Sequence, residues 1–177
     1  MKIGIAGVGG IGSNVARLLV QAGIKKLKIV DFDRVEISNM NRQFFRIDQA
    51  GEKKIDALEK NLKAISKGLS VEKHALKIRP GDAKALFEDC SVIVEGFDQK
   101  HLKKMLIEEL AETGTRIVSA SGIAGRNMDA IKVRKLGQVH IVGDLVSDQA
   151  DHILFPPKIA MVAAMMAGIV LNQIEEI

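Results

Sequence analysis

The sequence holds one cysteine, Cys90, three prolines, and neither tryptophan nor tyrosine. A single cysteine excludes an intramolecular disulfide, and the lack of any Cys-x-x-Cys pair removes the usual structural zinc sites. Such a chain suits the reducing cytoplasm, so a cytoplasmic location and no structural zinc are expected. With six phenylalanines as its whole aromatic complement, it has little to build a base-stacking platform from. The formal charge is only +4, and lysines such as Lys25, Lys53, Lys103 and Lys104 are scattered among acids. That pattern fits a solvated surface or an anionic small ligand, and no nucleic-acid partner is expected. Long apolar runs are also missing. The longest, Ile159 to Leu171, falls short of the roughly 20 residues of a membrane span. It is expected to form a buried or interface helix, with no membrane partner. No apolar leader is expected either, because Met1-Lys2-Ile3 runs directly into a glycine-rich loop.

The 177 residues, 47% of them hydrophobic, suit one soluble domain over 1–177. Residues 2–6 read as a buried strand. Ile11, Val15, Leu18 and Leu19 follow at helical spacing as far as Gly23, and 27–30 form a second strand ending at Asp31. Residues 32–50 are polar and aperiodic, a long loop of the kind that carries function. A helix is expected with Ile55, Leu58, Leu62 and Ile65 on one face, a short one opened by Pro80-Gly81 through Phe87, and one with Leu102, Leu106 and Leu110 aligned; strands are expected over 71–78, 91–95 and 116–120. Strands 130–135 and 138–142 pair antiparallel across Gly137, and Pro156-Pro157 open the last helix. The alternation predicts an α/β fold. It is a Rossmann-like three-layer αβα arrangement with a mostly parallel sheet and an antiparallel extension near the C-terminus.

Gly7-Val8-Gly9-Gly10-Ile11-Gly12 lies between the first strand and the first helix, where a phosphate-binding turn belongs. Gly7 permits the turn, Gly9 and Gly10 admit phosphate oxygens close to the backbone, and Gly12 lets helix and strand pack closely. The helix N-terminus supplies unpaired N–H groups and positive dipole. Asp31, at the end of the second strand, is placed to accept both ribose hydroxyls. NAD, FAD and ATP all satisfy these features.

The stretch Asp31-Phe32-Asp33-Arg34-Val35-Glu36-Ile37-Ser38-Asn39-Met40-Asn41-Arg42-Gln43 carries more. With the glycine turn before it, it resembles the ThiF/MoeB family, the bacterial relatives of ubiquitin-activating enzymes, and it matches Asp-x-Asp-x-Val-x-x-Ser-Asn-x-x-Arg-Gln at every position. Gly51-Glu52-Lys53-Lys54 and Glu95-Gly96-Phe97-Asp98-Gln99 resemble two further family segments. The ending, from Ser119-Ala120-Ser121-Gly122 through Val142-Gly143-Asp144 to Pro156-Pro157, is most like a compact ThiF branch linked to thiamine biosynthesis. The resemblance implies an adenylyltransferase that uses ATP and Mg²⁺ to adenylate the C-terminal glycine of a small ubiquitin-fold sulfur carrier ending in Gly-Gly. By resemblance, Arg42 and Lys54 reach the phosphates, Asn39 orients them and Asp98 holds Mg²⁺. Ser38 and Gln99 join Gly7, Gly9, Gly10, Gly12 and Asp31 around the nucleotide.

Each residue also has a structural reading: a surface ion pair for Arg42, a solvated helix lysine for Lys54, a helix cap for Asp98, a turn for Asn39. Asp33 is taken as structural. A homodimer is implied, with Met161, Met165, Met166 and Ile169 on the last helix as a candidate interface or as core. Many relatives carry paired Cys-x-x-Cys motifs and a cysteine that links covalently to the carrier. Here Cys90 alone remains and reads as a buried hydrophobe, so no covalent link is expected. Relatives often place a helix with an arginine before the first strand. This chain begins at the strand, so either a preceding helix lies outside this sequence or the charge is supplied differently, with Arg46 or Arg126 as the candidate substitutes. The alternatives are an NAD-dependent oxidoreductase, for which His74, His101, His140 and His152 show no suitable placement, and a nucleotide sensor without chemistry.

Overall fold

The computed structural model describes residues 1–175; Glu176 and Ile177 of the expected 1–177 unit lie outside the described residues. In chain order the elements are β1 (Ile3–Ala6), α1 (Gly10–Gln21), β2 (Lys26–Val30), α2 (Lys54–Ile65), β3 (Ser70–His74), α3 (Ala83–Leu86), β4 (Val92–Glu95), α4 (Lys100–Ala111), β5 (Arg116–Ala120), β6 (Lys132–Leu136), β7 (Val139–Gly143) and α5 (Pro156–Glu175). The sheet order is β3-β2-β1-β4-β5-β7-β6. All pairings are parallel except β6 with β7. The chain moves outward from β1 to β3 and then crosses back to β4, so the C-terminal ends of β1 and β4 flank a crevice where such sheets bind ligands.

Buried strand side chains alternate between two cores. Ile3, Ile5, Leu27, Ile29, Val92 and Val94 face α1, α2 and α5. Ala6, Val30, Ile93 and Ile117 face α3 and α4. Both faces are covered, which is why the strands read as continuous apolar runs rather than alternating ones.

Several boundaries differ from expectation, the strand over 130–135 lying at Lys132–Leu136 among them. The third strand stops at His74 rather than 78, because Leu76, Lys77 and Ile78 turn out to line the crevice. The expected short helix keeps only Ala83–Leu86. The last helix extends well beyond its apolar run and, at 20 residues, is long and apolar enough by length and composition to span a bilayer. Its inner side, Ile159, Val162, Ala163, Met166 and Val170, is buried in the first core, so here it serves as a packing helix. Met166 therefore belongs to the core. Of the four candidate interface residues only Met161 is exposed, with Met165 and Ile169 half-buried.

Candidate nucleotide site

Gly7 adopts φ +83° and its N–H donates to the Val30 carbonyl at 2.8 Å, turning the chain directly from β1 into the loop. A Cβ on Gly12 would collide with the Gly7 carbonyl oxygen, so close packing of α1 on the turn requires glycine there. Gly9 and Gly10 meet nothing nearer than 3.8 Å and 3.6 Å, which leaves their backbone open toward the crevice. Gly7, Gly9 and Gly10 line a cleft of about 470 Å³, within the size range of small-ligand sites. Gly12 supports the loop from beneath and is not in the cleft wall.

Asp31 does more than its position promised. Its Oδ2 accepts the Val8 N–H at 2.7 Å and its Oδ1 accepts the Asp33 N–H at 2.8 Å. The carboxylate thus ties the glycine loop to the segment beyond β2, and each oxygen keeps a lone pair for a ribose hydroxyl. Burial pushes its pKa up against the pull of these two donors.

The long loop is ordered by two 3₁₀ turns, Ile37–Asn39 and Ile47–Gln49. Residues 33–35 run against 51–54, with Lys54 N–H donating to the Asp33 carbonyl and Val35 N–H to the Glu52 carbonyl, both at 2.9 Å. This brings Lys54 under the loop as the first residue of α2. It is 6% exposed rather than solvated, and its Nζ donates to Asp33 Oδ2 at 2.9 Å. Asp33, read as structural, is therefore the residue that holds Lys54. Buried Gln49 and Asn61 exchange side-chain hydrogen bonds at 2.9 and 3.0 Å, and Asn61 also donates to the Phe44 carbonyl, fixing the loop on α2.

Arg42 lies at the cleft wall beside the glycine loop. Asn14 on α1 donates to its carbonyl at 2.9 Å and to that of Gly10 at 2.7 Å. Ser13 donates to Gly9 and accepts from the Phe44 N–H at 3.0 Å. These two side chains lock the Arg42 segment to the glycine turn. The guanidinium donates to Asn39 Oδ1 at 2.8 Å, and to Asn41 Oδ1 and the Ser38 carbonyl at 3.1 Å. All three partners are neutral, and among the described residues no carboxylate pairs with it. The surface ion-pair reading of Arg42 is thereby set aside. Asn39 lines the cleft and aims Arg42, whereas the Ser38 hydroxyl donates to Glu36 and lies outside the cleft wall.

Asp98 and Gln99 stand exposed at the opposite rim. The first residue outside α4 is Gln99, with no side-chain cap, so Asp98 does not serve as the helix cap. Its turn is held from below by Glu95, fully buried at the end of β4. Glu95 accepts from the Phe97 N–H at 2.7 Å, from Lys103 Nζ at 2.9 and 3.0 Å, and from the Ser119 hydroxyl at 2.6 Å. No group of three potential metal ligands forms among the described residues. A single carboxylate is nonetheless what Mg²⁺ commonly takes from a protein when phosphates supply the rest, so Asp98 fits that role.

Sequence reading gave no site role to Ser13, Asn14, Gln43, Glu95 or Lys103. Gln43 and Glu95 lay in the quoted motifs, and Glu95 was marked further as an acid at the end of an otherwise apolar strand. Arg46 pairs with Asp48 and Asn61, and Arg126 stacks over Phe155 at 5.5 Å; neither lines the cleft. Arg34, which was not considered, does.

A family model described as the ThiF family matches residues 1–175. The chain belongs to the ThiF family. Among curated relatives, ubiquitin-like modifier-activating enzyme 5 of Oryza sativa subsp. japonica is 45% identical over 77 residues, 44% of this chain and 18% of that protein. The Drosophila ananassae enzyme of the same name is 42% identical over 80 residues, 45% of this chain and 20% of that protein. The chain thus matches about a fifth of the length of these relatives. Among solved structures, E. coli tRNA N6-threonylcarbamoyladenosine dehydratase, TcdA, in complex with ATP superposes with TM-score 0.85 at 18% identity, over 99% of this chain and 86% of that one. E. coli MccB, solved with MccA, superposes with TM-score 0.77 at 21% identity, over 99% of this chain and 56% of that one. These likenesses establish the fold.

Cys90 is buried against Gly4 and Phe87, and burial, then the neighbouring Asp89, pushes its thiol pKa up to about 12. Because the thiolate is the reactive form, alkylation of Cys90 in the native protein at pH 8 is expected to be at least about 10²-fold slower than after unfolding. Equal rates, read by mass, would reopen a catalytic role.

Proposed function

We propose that this protein adenylates a carboxylate with ATP, and that the substrate is the C-terminal glycine of a ThiS-like, ubiquitin-fold sulfur carrier. The observation that carries the reading is Arg42: a guanidinium without a counter-charge, locked to the glycine loop. In this reading ATP lies with its ribose on Asp31 and its phosphates over Gly9 and Gly10. The carrier carboxylate, already ionised at neutral pH, attacks the α-phosphorus. The Pα–O bond to the β-phosphate breaks and pyrophosphate leaves, with no proton to move. What the residues contribute is position and charge. Arg42 offers its planar fork to phosphate oxygens, and Lys54 adds a second cation aimed by Asp33. Mg²⁺ would be held by Asp98 and would neutralise charge on the triphosphate.

A second, open cavity shares Arg42 with the cleft and is lined by Asn41 and residues 149–154. In this reading it is where the slender carrier terminus approaches. The oxidoreductase reading is weaker because, among the described residues, no histidine lines the cleft; His152 sits in the adjoining cavity. The expected results are calorimetric binding of ATP in preference to NAD, and ATP–pyrophosphate exchange only when a Gly-Gly-ended carrier is present. Tight binding of NAD alone, or ATP binding without exchange by any such carrier, rejects the proposal. A homodimer through the outer face of α5 is part of the same reading. Met161, Ala164, Met165 and Gly168 leave that face apolar and incompletely buried, which a helix apolar on all sides does not tolerate well in water. Sedimentation at the mass of one chain would remove it.

A further inference from the structure

Lys158, in the first turn of α5, has no exposed surface. Both features count against a lysine, since the positive end of a helix disfavours a cation and burial strips the ammonium of water. What it gains is two short bonds: its Nζ donates to the Ala124 carbonyl at 2.6 Å and to Asp144 Oδ2 at 2.6 Å. Ala124 belongs to the loop after β5, and Asp144 opens the loop after β7. The other Asp144 oxygen accepts the N–H groups of Val146 and Ser147, each at 2.8 Å. The two loops are pressed together: a Cβ on Gly122 would strike the Asp144 carboxylate, and one on Gly143 the Ser121 carbonyl. Leu145 is held at φ +67°, a region branched side chains avoid. Ser121 to Ile123 and Leu145 to Gln149 line the nucleotide cleft, and the outer end of the second loop is clasped to α4 by the Lys100–Asp148 ion pair.

Sheet order says which side this wall faces. Asp31 ends β2, the glycine loop follows β1, and β5 and β7 lie beyond β4. A nucleotide with its ribose on Asp31 and its phosphates on the glycine loop points its reacting end toward the β5 and β7 loops. We infer that Lys158 is a positioning residue, which fixes these two loops as a rigid wall on the second-substrate side of the cleft. The functional half of this inference rests on the adenylation reading; the structural half does not.

Lys158→Met leaves the half-buried Asp144 carboxylate without its cation, so it is expected to lower the melting temperature. In the double variant D144N/K158M, Asn keeps an oxygen for the Val146 and Ser147 amides and the unpaired charge is gone. Most of the lost melting temperature is expected to return. Hydrogen exchange over 121–126 and 143–150 is expected to stay about tenfold faster than in wild type, with 5–20 unchanged. In pyrophosphate exchange, KM for the carrier is expected to rise about tenfold while KM for ATP stays within about threefold. Return of local exchange to the wild-type rate together with the melting temperature, or an unmoved carrier KM, overturns the inference and leaves Lys158 a stabilising residue only. The hydrogen-exchange arm uses no nucleotide. Failure of wild-type protein to bind ATP would therefore overturn the adenylation reading without deciding this one.

Discussion

Arg42→Ala is expected to lower carrier-dependent pyrophosphate exchange by about 10²–10³-fold, by analogy with removal of one preorganised donor to a developing charge. The fold should survive. The segment is anchored through backbone groups, with Asn14 donating to the Arg42 carbonyl and the Arg42 N–H donating to the Asn39 carbonyl at 3.2 Å. Neither bond uses the side chain that is removed. Arg42→Lys is expected to recover only part of the rate, because an ammonium cannot present two parallel donors to two phosphate oxygens. Steady-state exchange beside a thermal melt checks both variants. Exchange at the wild-type rate in Arg42→Ala would end the assignment of this residue and, with it, the main support for adenylation.

Two glycines of one loop are expected to fail in opposite ways. Gly12→Ala forces a methyl group into the Gly7 carbonyl, and backbone cannot yield as a side-chain tip can. Overpacking of this kind typically costs about 1–3 kcal/mol and sometimes more, so a clear fall in melting temperature is expected. Gly9 sits at φ −78° with open space around it. Alanine there should cost less stability than at Gly12, because its methyl group meets no backbone. Its methyl would stand where phosphate oxygens approach, and loss of a charge-assisted hydrogen bond of about 1.5–3 kcal/mol weakens ATP binding by roughly 10–100-fold. Calorimetry and a melt on each variant separate the two. If Gly9→Ala bound ATP normally, the phosphates would not lie on this loop.

Much of the molecule was legible before its structure. Uninterrupted apolar runs announced strands buried on both faces, and the glycine turn between the first strand and helix located the crevice. The motif from Asp31 to Gln43 identified the family, and the burial of Cys90 followed from its chemistry as a small hydrophobe. Lys54 shows where such reading stops. Among several helix lysines nothing local distinguishes it. It is buried because residues 33–35 pair with 51–54, a contact between segments far apart in sequence. Arg42 is similar: its motif was visible, but its freedom from any carboxylate depends on which side chains the fold brings near.

The sequence by itself determined the αβα layering, the glycine turn and the family, because these follow from periodicity and from residue types at fixed local spacing. Tertiary structure alone decided that Asp33 aims Lys54, that Asn14 and Ser13 lock Arg42 to the glycine loop, and that Lys158 ties two loops together. Each of those arrangements joins groups distant along the chain. Such pairings are set by how the strands are ordered and how the helices pack over them, and no local pattern records them.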